Sequence, residues 1–360
     1  MVAGVKGVVA LAGGDLIAVS SSTLGEVFIL SRKSRKVVRA IPLDKGSKAE
    51  SLCTIPGTNK LLVADGSGKL CCIDLATEPA TVSCVATSDL RLTSVVAFDE
   101  ETAFVAGAVK GNKNKCSVRR VNLATGAIAE DALLEAPMIR ALLAQTDKGR
   151  LVVGAIDSAD DEGGPPAHTK VMSWSVEGGF STSTTLCELD CFVHSIAPHP
   201  RLGDAYVVLA RHGTGGSAFD CPVRVVRFGD RDKAHAGTPL IARAAITDTL
   251  PIGHDGLVQR LSHHTVNATM FGMRAGREHA LALLNDGTLV TGAVDKTTKG
   301  VLQLWSLDVI GHEDSPPASS FRCWPSPRGV SPSHLFRSAP PPTRTASLSR
   351  VPKLRSTTTL

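Results

Sequence analysis

One segment of this sequence recurs along most of its length, and that repetition constrains the fold more than any other feature. Residues 72–77 read Cys-Ile-Asp-Leu-Ala-Thr and residues 120–125 read Arg-Val-Asn-Leu-Ala-Thr, so both share one order of apolar and polar positions. Segments with related alternation lie at residues 26–31, 170–175, 223–228 and 302–307. Most neighbouring copies are about 40 to 55 residues apart, a spacing typical of repeat proteins. The chain is therefore predicted to consist of similar units in series.

Each unit contains further strand-like segments before the one that recurs. A second type, an aliphatic pair followed by small residues, occurs at residues 16–20, 62–66, 104–108, 151–155, 206–210 and 289–293. An earlier apolar segment precedes each of these, at residues 8–12, 51–55, 93–98, 139–144, 193–197 and 279–284. A weaker fourth segment, residues 36–41, completes the first unit. The segments lack the three- and four-residue apolar spacing of helices, and the pattern predicts strands.

Four-stranded antiparallel sheets set radially around an axis bury both faces against their neighbours, and small residues on the inner strands let the sheets approach closely. The sequence therefore predicts an all-β fold, a β-propeller of six to seven four-stranded blades, in residues 1–310. Residues 246–278 interrupt the spacing and hold either a degenerate blade or an insertion with a short helix. No fourth strand follows Leu307, so either residues 2–6 close the ring or the chain is a truncated form of something longer.

Two segments carry a resemblance to a known family. Residues 302–308, Leu-Gln-Leu-Trp-Ser-Leu-Asp, resemble the third strand of a WD repeat, and residues 171–176, Val-Met-Ser-Trp-Ser-Val, are similar. The resemblance extends over residues 7–309, although the Trp-Asp pair itself is absent, and YVTN-like and quinoprotein-like propellers share the same strand pattern. It implies a rigid, non-catalytic scaffold that presents blade loops to partner proteins, as part of a multi-subunit complex.

Composition narrows the class of protein. The chain has 360 residues, of which 43% are hydrophobic and 4% aromatic, together with 33 glycines, as expected for short strands and many turns. No run approaches the roughly 18 to 20 apolar residues of a membrane-spanning helix, so no membrane span is predicted. The nine cysteines favour buried free thiols in a reducing compartment, for example Cys53, Cys71, Cys72, Cys84 and Cys116. An intracellular location, cytoplasmic or nuclear, is expected.

Beyond residue 310 the periodic pattern stops. Residues 311–360 are rich in proline, serine and arginine, and such a segment buries too little apolar surface to offset its ordering entropy. It is predicted to be a disordered basic tail. Its candidate phosphorylation sites are Ser315, Ser326 and Ser331, each before a proline, and Ser347, three residues after an arginine. Nucleic-acid binding is not expected, since no aromatic ladder accompanies the basic residues.

Several residue groups have the composition of chemical sites, and each has a structural interpretation that we favour. Cys187, Cys191, His194 and His199 have a partial zinc-like spacing, but core thiols and a surface histidine explain them. His263 and His264 fit a polar turn. Residues 157–162 fit a solvated acidic loop, and residues 213–216 fit a glycine-rich loop that no helix follows. No cofactor, metal site or catalytic residue is therefore predicted.

The alternative function is a propeller hydrolase or lactonase with a metal on the ring axis. Such an enzyme needs carboxylates from different blades to meet at one point, and the candidates at comparable turn positions are Asp65, Asp157, Asp286 and Asp295. The competing interpretation is that these aspartates stabilise turns. The expectation is that the protein is not an enzyme.

Overall fold

Six antiparallel sheets of four strands each contain all the strands in the described part of the computed structural model. The structure describes residues 5–309, except for gaps at residues 12, 22–23, 130–133, 137, 157–168, 177–182, 190–191, 199–204, 212–222, 228–238, 241, 252–279, 285–286 and 295–299. No helix in these described ranges is long and apolar enough to cross a membrane.

The first three sheets follow one another along the chain. Sheet one contains β1 (Val5–Ala10), β2 (Leu16–Ser21), β3 (Glu26–Ser31) and β4 (Lys36–Pro42). Sheet two contains β5 (Ala49–Thr54), β6 (Lys60–Asp65), β7 (Lys69–Asp74) and β8 (Thr81–Thr87). Sheet three contains β9 (Leu90–Ala97), β10 (Thr102–Val109), β11 (Asn112–Asn122) and β12 (Leu134–Ala136).

The last three sheets repeat the arrangement with one change of order. Sheet four contains β13 (Met138–Gln145), β14 (Arg150–Ile156), β15 (Thr169–Ser175) and β16 (Ser183–Leu189), with a short 3-10 helix at Thr146–Lys148. Sheet five contains β17 (Phe192–Pro198), β18 (Ala205–Arg211), β19 (Val223–Arg227) and β20 (Pro239–Leu240). Sheet six contains β21 (Ala242–Pro251), β22 (Ala280–Leu283), β23 (Leu289–Val294) and β24 (Gly300–Val309), in the spatial order β21-β24-β23-β22.

The predicted repeat corresponds to this architecture. The recurring segment is the third strand of each blade, the aliphatic-small segment is the second, and the earlier apolar segment is the first. Each first strand contacts the first strand of the next blade, from β1 through β5, β9, β13 and β17 to β22, and β22 contacts β1. The prediction of an all-β propeller is confirmed, and the described strands close into a ring of six blades.

Apolar side chains between adjacent blades hold the ring together. Wherever their burial is described, the second strands are buried along most of their length, with Ile17, Leu62, Phe104 and Val152 fully inaccessible to solvent. Their side chains alternate between the two sides of the sheet, so each blade contributes to the cluster before it and to the cluster after it. Small residues on these strands let neighbouring sheets pack closely, as expected for a propeller.

The ring closes where the first blade meets the sixth. Val5, Val8 and Ile17 of the first blade pack with Val290 and Leu302 of the sixth in one buried cluster. On the surface above this cluster, Arg32 Nη2 donates a hydrogen bond of 3.2 Å to Thr288 Oγ1. The closure therefore has an apolar core and a polar contact at its edge.

The strand that completes the sixth blade comes from residues 242–251. Strand β21 is the fourth strand of the sixth blade, and it pairs antiparallel with β24 through Ile246 and Trp305. The N-terminal residues instead form the innermost strand of the first blade. The prediction that residues 2–6 supply the closing strand is wrong, because the fourth strand of this blade precedes the other three in sequence. The degenerate blade or helical insertion is predicted for residues 246–278. Of these, residues 246–251 belong to β21, and residues 252–278 lie outside the described range.

Six of the nine cysteines lie in described positions, and none of the six forms a disulfide. Cys71 and Cys116 are buried, and Cys53 and Cys72 are half-buried. Cys84 is exposed, contrary to prediction, because it lies on an outermost strand that no further blade strand covers. The predicted tail, residues 311–360 with Ser315, Ser326, Ser331 and Ser347, lies outside the described residues.

Candidate binding site in the central channel

The six innermost strands surround a cavity of about 440 Å³ on the ring axis. This volume lies within the range of small-ligand pockets, roughly 300 to 1,000 Å³. Both polar and aliphatic side chains line it, and every blade contributes some of them. The polar lining residues are Lys6, Glu50, Ser51, Thr54, Thr93, Ser94, His194 and Ser195.

A β-bulge occurs at the same position in five of the innermost strands. At each bulge one residue has no partner on the second strand of its blade. The skipped residues are Lys6, Glu50, Thr93, Arg140 and His194. A bulge redirects a side chain away from the regular alternation of a strand. Lys6, Glu50, Thr93 and His194 line the cavity.

The bulges lie where the innermost strands begin, and we call this end of the ring the bulge face. The next position along each strand holds a small residue, and the position after that an aliphatic one. At Gly7 the space is particularly restricted, because a Cβ there would lie 2.8 Å from the backbone nitrogen of Leu52. The channel therefore has polar residues near the bulge face and an aliphatic wall deeper in the ring.

Residues of opposite charge line the channel near the bulge face. The Lys6 ammonium and the Glu50 carboxylate belong to neighbouring blades, and the His194 imidazole lies on the fifth blade. Arg140 occupies the equivalent backbone position on the fourth blade. Such a mixture offers hydrogen-bond donors and acceptors together, which suits peptide-like groups better than an ion of a single sign.

Thr93 has a structural role at its bulge. Its hydroxyl lies 3.3 Å from the carbonyl oxygen of Ala106 in its own blade and 3.3 Å from that of Ile139 in the next blade. The hydroxyl proton is shared between the two carbonyls, so this side chain joins the third blade to the fourth.

We expect Thr93→Val to lower the free energy of unfolding by about 1 kcal/mol, the usual loss for one hydrogen bond of this kind. Chemical denaturation monitored by circular dichroism measures this change. Thr81→Val on the exposed outer strand β8 is the matched control, and we expect it to have a smaller effect. Equal losses in the two variants would contradict the bridging role of Thr93.

Cys53 also lines the channel, on the second blade. Burial raises the pKa of its thiol to about 12, and hydrogen bonds with the backbone of Ala97 and Leu62 lower that pKa by less. The thiol is therefore protonated at neutral pH. Because the thiolate is the nucleophilic form, this side chain is poorly suited to nucleophilic chemistry.

Brief treatment of the folded protein with iodoacetamide at neutral pH is expected to modify the exposed Cys84 and to leave Cys53 intact. Peptide mapping by mass spectrometry measures the modified fraction at each position. The same treatment in denaturant should modify both residues, which controls for intrinsic reactivity. Modification of Cys53 as fast as Cys84 in the folded protein would disagree with the channel geometry.

Asp65 is placed away from the channel. It ends β6, is 1% exposed, and its Oδ1 accepts hydrogen bonds from the amides of Lys48 and Ser67, both at 2.9 Å. Burial raises the pKa of this carboxyl, but the hydrogen bonds from the Ser67 and Lys48 amides outweigh it, so the pKa lies below its usual value. Asp65 therefore has a structural role at this turn. The other candidates, Asp157, Asp286 and Asp295, lie outside the described residues.

The zinc-like spacing does not produce a cluster in the described residues. Cys187 packs in an apolar cluster with Leu189 and Val193, as predicted for a core thiol, whereas His194 lines the channel. The bulge brings His194 to the channel wall, whereas His199, the other histidine of the predicted group, lies outside the described residues. No group of three histidine, cysteine, aspartate or glutamate residues suited to a metal ion occurs within the described ranges. The remaining candidates lie outside them: Cys191, His199, residues 160–162, residues 213–216, His263 and His264.

The sequence analysis missed the bulge residues, although a signal for them exists. Each first strand contains a polar residue, then a small one, then an aliphatic one, and the pattern occurs six times: Lys6-Gly-Val-Val, Glu50-Ser-Leu-Cys, Thr93-Ser-Val-Val, Arg140-Ala-Leu-Leu, His194-Ser-Ile-Ala and His279-Ala-Leu-Ala. His279 is the equivalent position in the sixth blade by register, and it lies outside the described residues.

Comparison with known proteins supports the fold. No protein-family model and no curated protein matches this sequence. The structure is similar to hydrazine synthase from Kuenenia stuttgartiensis, with a TM-score of 0.55 and 14% sequence identity over 85% of this chain and 84% of that chain. It is also similar to the β-propeller domain of Cps50 (Swd1) from Myceliophteria thermophila, with a TM-score of 0.47 and 8% identity over 85% of this chain and 84% of that chain. At these identities the likeness concerns the fold alone.

Proposed function

We propose that this propeller is a non-catalytic scaffold that binds partner proteins at its bulge face. The observation that carries the proposal is the ring of bulge residues around the channel. Lys6 and Glu50 supply charges of both signs, and His194 supplies an imidazole, around the same cavity. Peptide segments present the same mixture of donors and acceptors, so this end of the channel suits them.

The connections between strands support the same face. On the first three blades the second and third strands are joined here by tight turns such as residues 66–68 and 110–111. On the later blades the strands that end at this face lead into much longer segments, residues 157–168, 212–222 and 252–279. Loops anchored on a rigid framework are where binding residues concentrate. The bulge face therefore combines a polar channel entrance with the ends of strands that precede long connections.

Two polar side chains near this face, those of Asp65 and Thr93, form hydrogen bonds that stabilise a turn and join two blades. Asp65 binds two backbone amides, and Thr93 bridges two blades. Side chains occupied in this way are poor candidates for acid, base or ligand roles, which supports a scaffold without chemistry of its own. Membership of a multi-subunit complex, and its regulation by phosphorylation of Ser315, Ser326, Ser331 or Ser347, are part of this proposal.

The test is quantitative affinity capture from cells with the full chain and two loop replacements as baits. Replacing residues 157–168 with a glycine-serine linker changes the bulge face, whereas replacing residues 177–182 changes the opposite face. We expect the first replacement, and not the second, to remove a reproducible set of partners. Equal capture by all three folded baits would overturn the proposal. A fourth bait that ends at residue 310 separates any contribution of the tail.

Metal analysis of the purified chain tests the competing enzyme hypothesis. A propeller hydrolase with an axial metal should retain calcium or zinc at about one ion per chain. That result would contradict the scaffold proposal.

A further inference from the structure

Two cysteines lie directly opposite each other on the outer strands of the second blade. Cys71 on β7 is the register partner of Cys84 on β8. Opposite residues of an antiparallel pair have Cα atoms about 4.5 to 5.5 Å apart, and their side chains share one side of the sheet. A disulfide requires a Cα separation of about 4.4 to 6.8 Å. The backbone therefore already holds this pair at a distance that a disulfide can bridge.

A bulge at Val85 determines which cysteines face each other. Val85 and Ala86 both pack with Leu70 on the side toward the third blade. Cys71 packs on the opposite side, in the cluster with Ile73 and Val82 between the first and second blades. Without the extra residue the register would change by one position. Cys72, adjacent in sequence, packs toward the third blade and is thereby separated from Cys84.

The two thiols differ in accessibility. Cys84 is exposed at the edge of the blade, and its Sγ lies 3.5 Å from the carbonyl oxygen of Ala86. Cys71 is 3% exposed. A reagent in solution therefore reaches Cys84 first, and Cys71 is the thiol placed to react next.

A cation lies beside the pair. Lys69 precedes Cys71 by two residues on the same strand, and its Nζ is 2.7 Å from Asp44 Oδ2. The ammonium interacts electrostatically with both thiols. At Cys71 this ammonium lowers the pKa of the thiol, but it offsets only part of the rise caused by burial and by the nearby carboxylates of Asp65 and Asp44.

We propose that Cys71 and Cys84 form an oxidative modification site that takes a low-molecular-weight disulfide such as glutathione disulfide as its substrate. The Cys84 thiolate attacks one sulfur of the disulfide, so a mixed disulfide forms and one glutathione thiolate leaves. The Cys71 thiolate then attacks the Cys84 sulfur and releases the second glutathione. The two protein thiols are oxidised to one disulfide, and glutathione disulfide is reduced to two thiols, whose sulfurs take up the two protons.

The second step controls the pH dependence of the overall reaction. Burial, together with the nearby Cys84, Asp65 and Asp44, raises the pKa of the Cys71 thiol to about 12, and Lys69 opposes this rise only in part. Only a small fraction of Cys71 is therefore thiolate at neutral pH. Below that pKa the thiolate fraction increases about tenfold per pH unit, and closure of the disulfide should accelerate accordingly.

The experiment treats the full chain with glutathione disulfide, blocks the remaining thiols and maps peptides by non-reducing mass spectrometry. The wild-type chain should yield a peptide that joins Cys71 to Cys84. Cys71→Ser should instead accumulate a stable glutathione adduct on Cys84, and Cys84→Ser should lose the cross-link. Cys72→Ser is the matched control, because it removes the adjacent thiol that faces the other way, and it should cross-link like the wild type.

Circular dichroism identifies any variant that fails to fold, and the wild-type result is decisive without the variants. A wild-type chain with glutathione on Cys84 and no Cys71–Cys84 peptide, even at alkaline pH, would overturn the proposal. A cross-link from Cys84 to Cys72 would overturn it as well, since the register places these two on opposite sides of the sheet.

Discussion

Gly292→Ala is expected to lower the free energy of unfolding by about 1–3 kcal/mol, the typical cost of forcing extra volume into a packed core. Gly292 lies on β23 of the sixth blade, against the first blade where the ring closes. A Cβ at this position would overlap Cγ1 of Val5, which is fully buried, and it would lie 3.1 Å from Cγ2 of Val8. Val5 has no room to move, so the clash must be relieved by separating the two blades.

Gly154→Ala is the matched control for this substitution. Gly154 pairs with Ala141 on the fourth blade as Gly292 pairs with Ala280 on the sixth, so the two glycines share a register position. A Cβ at Gly154 would lie 3.2 Å from the Ala141 Cβ, a tight but tolerable contact. We expect a change within about 0.5 kcal/mol there, because restricting the unfolded chain offsets the crowding.

A second-site change separates the clash at Gly292 from other effects of the alanine. Val5→Ala removes Cγ1 from the contact between the first and sixth blades. Gly292→Ala should therefore lower the free energy of unfolding less in that background than in the wild type. Denaturant unfolding of the two single variants and the double variant gives the coupling energy. Additive effects would show that Gly292→Ala acts by some route other than contact between the first and sixth blades.

The fold was largely predictable from sequence because each blade repeats one pattern of alternation. Strands such as Leu16–Ser21 and Glu26–Ser31 are marked by consecutive β-branched and aliphatic residues, which are buried on both sides of the sheet. Strand β21 was not predictable in the same way. Its partner β24 is more than fifty positions further along the chain, and pairing over such a distance has no local signal.

The channel was harder to predict than the strands. A bulge depends on the register between two strands, and a single strand such as Ala49–Thr54 has the same composition with or without one. The polar residues at the bulges interrupt the apolar pattern, and that pattern alone predicts no channel position for Glu50 or His194. The recurring polar, small, aliphatic order marks these positions in the sequence, but it indicates a bulge only when the pairing of each first strand with its second strand is known.

Asp65→Ala is expected to lower the free energy of unfolding by about 2–3 kcal/mol at neutral pH. The carboxylate accepts hydrogen bonds from the amides of Lys48 and Ser67, and it thereby joins the turn after β6 to the loop that enters the second blade. Alanine would leave both amides without this acceptor at a partly buried turn, and each unsatisfied group is costly. Asp74→Ala is the control, because Asp74 accepts a 2.9 Å bond from Ala76 in an exposed turn.

The pH dependence of Asp65→Asn tests the charge on this carboxylate separately from its shape. Because the pKa of Asp65 is lower in the folded chain than in the unfolded chain, ionisation stabilises the fold above about pH 4, the ordinary value for aspartate. This contribution disappears as the pH falls through the folded-state pKa. The difference in unfolding free energy between the wild type and Asp65→Asn should therefore be larger at pH 7 than at about pH 3. A difference independent of pH would mean that hydrogen-bond geometry alone, without the charge, accounts for the stability of this turn.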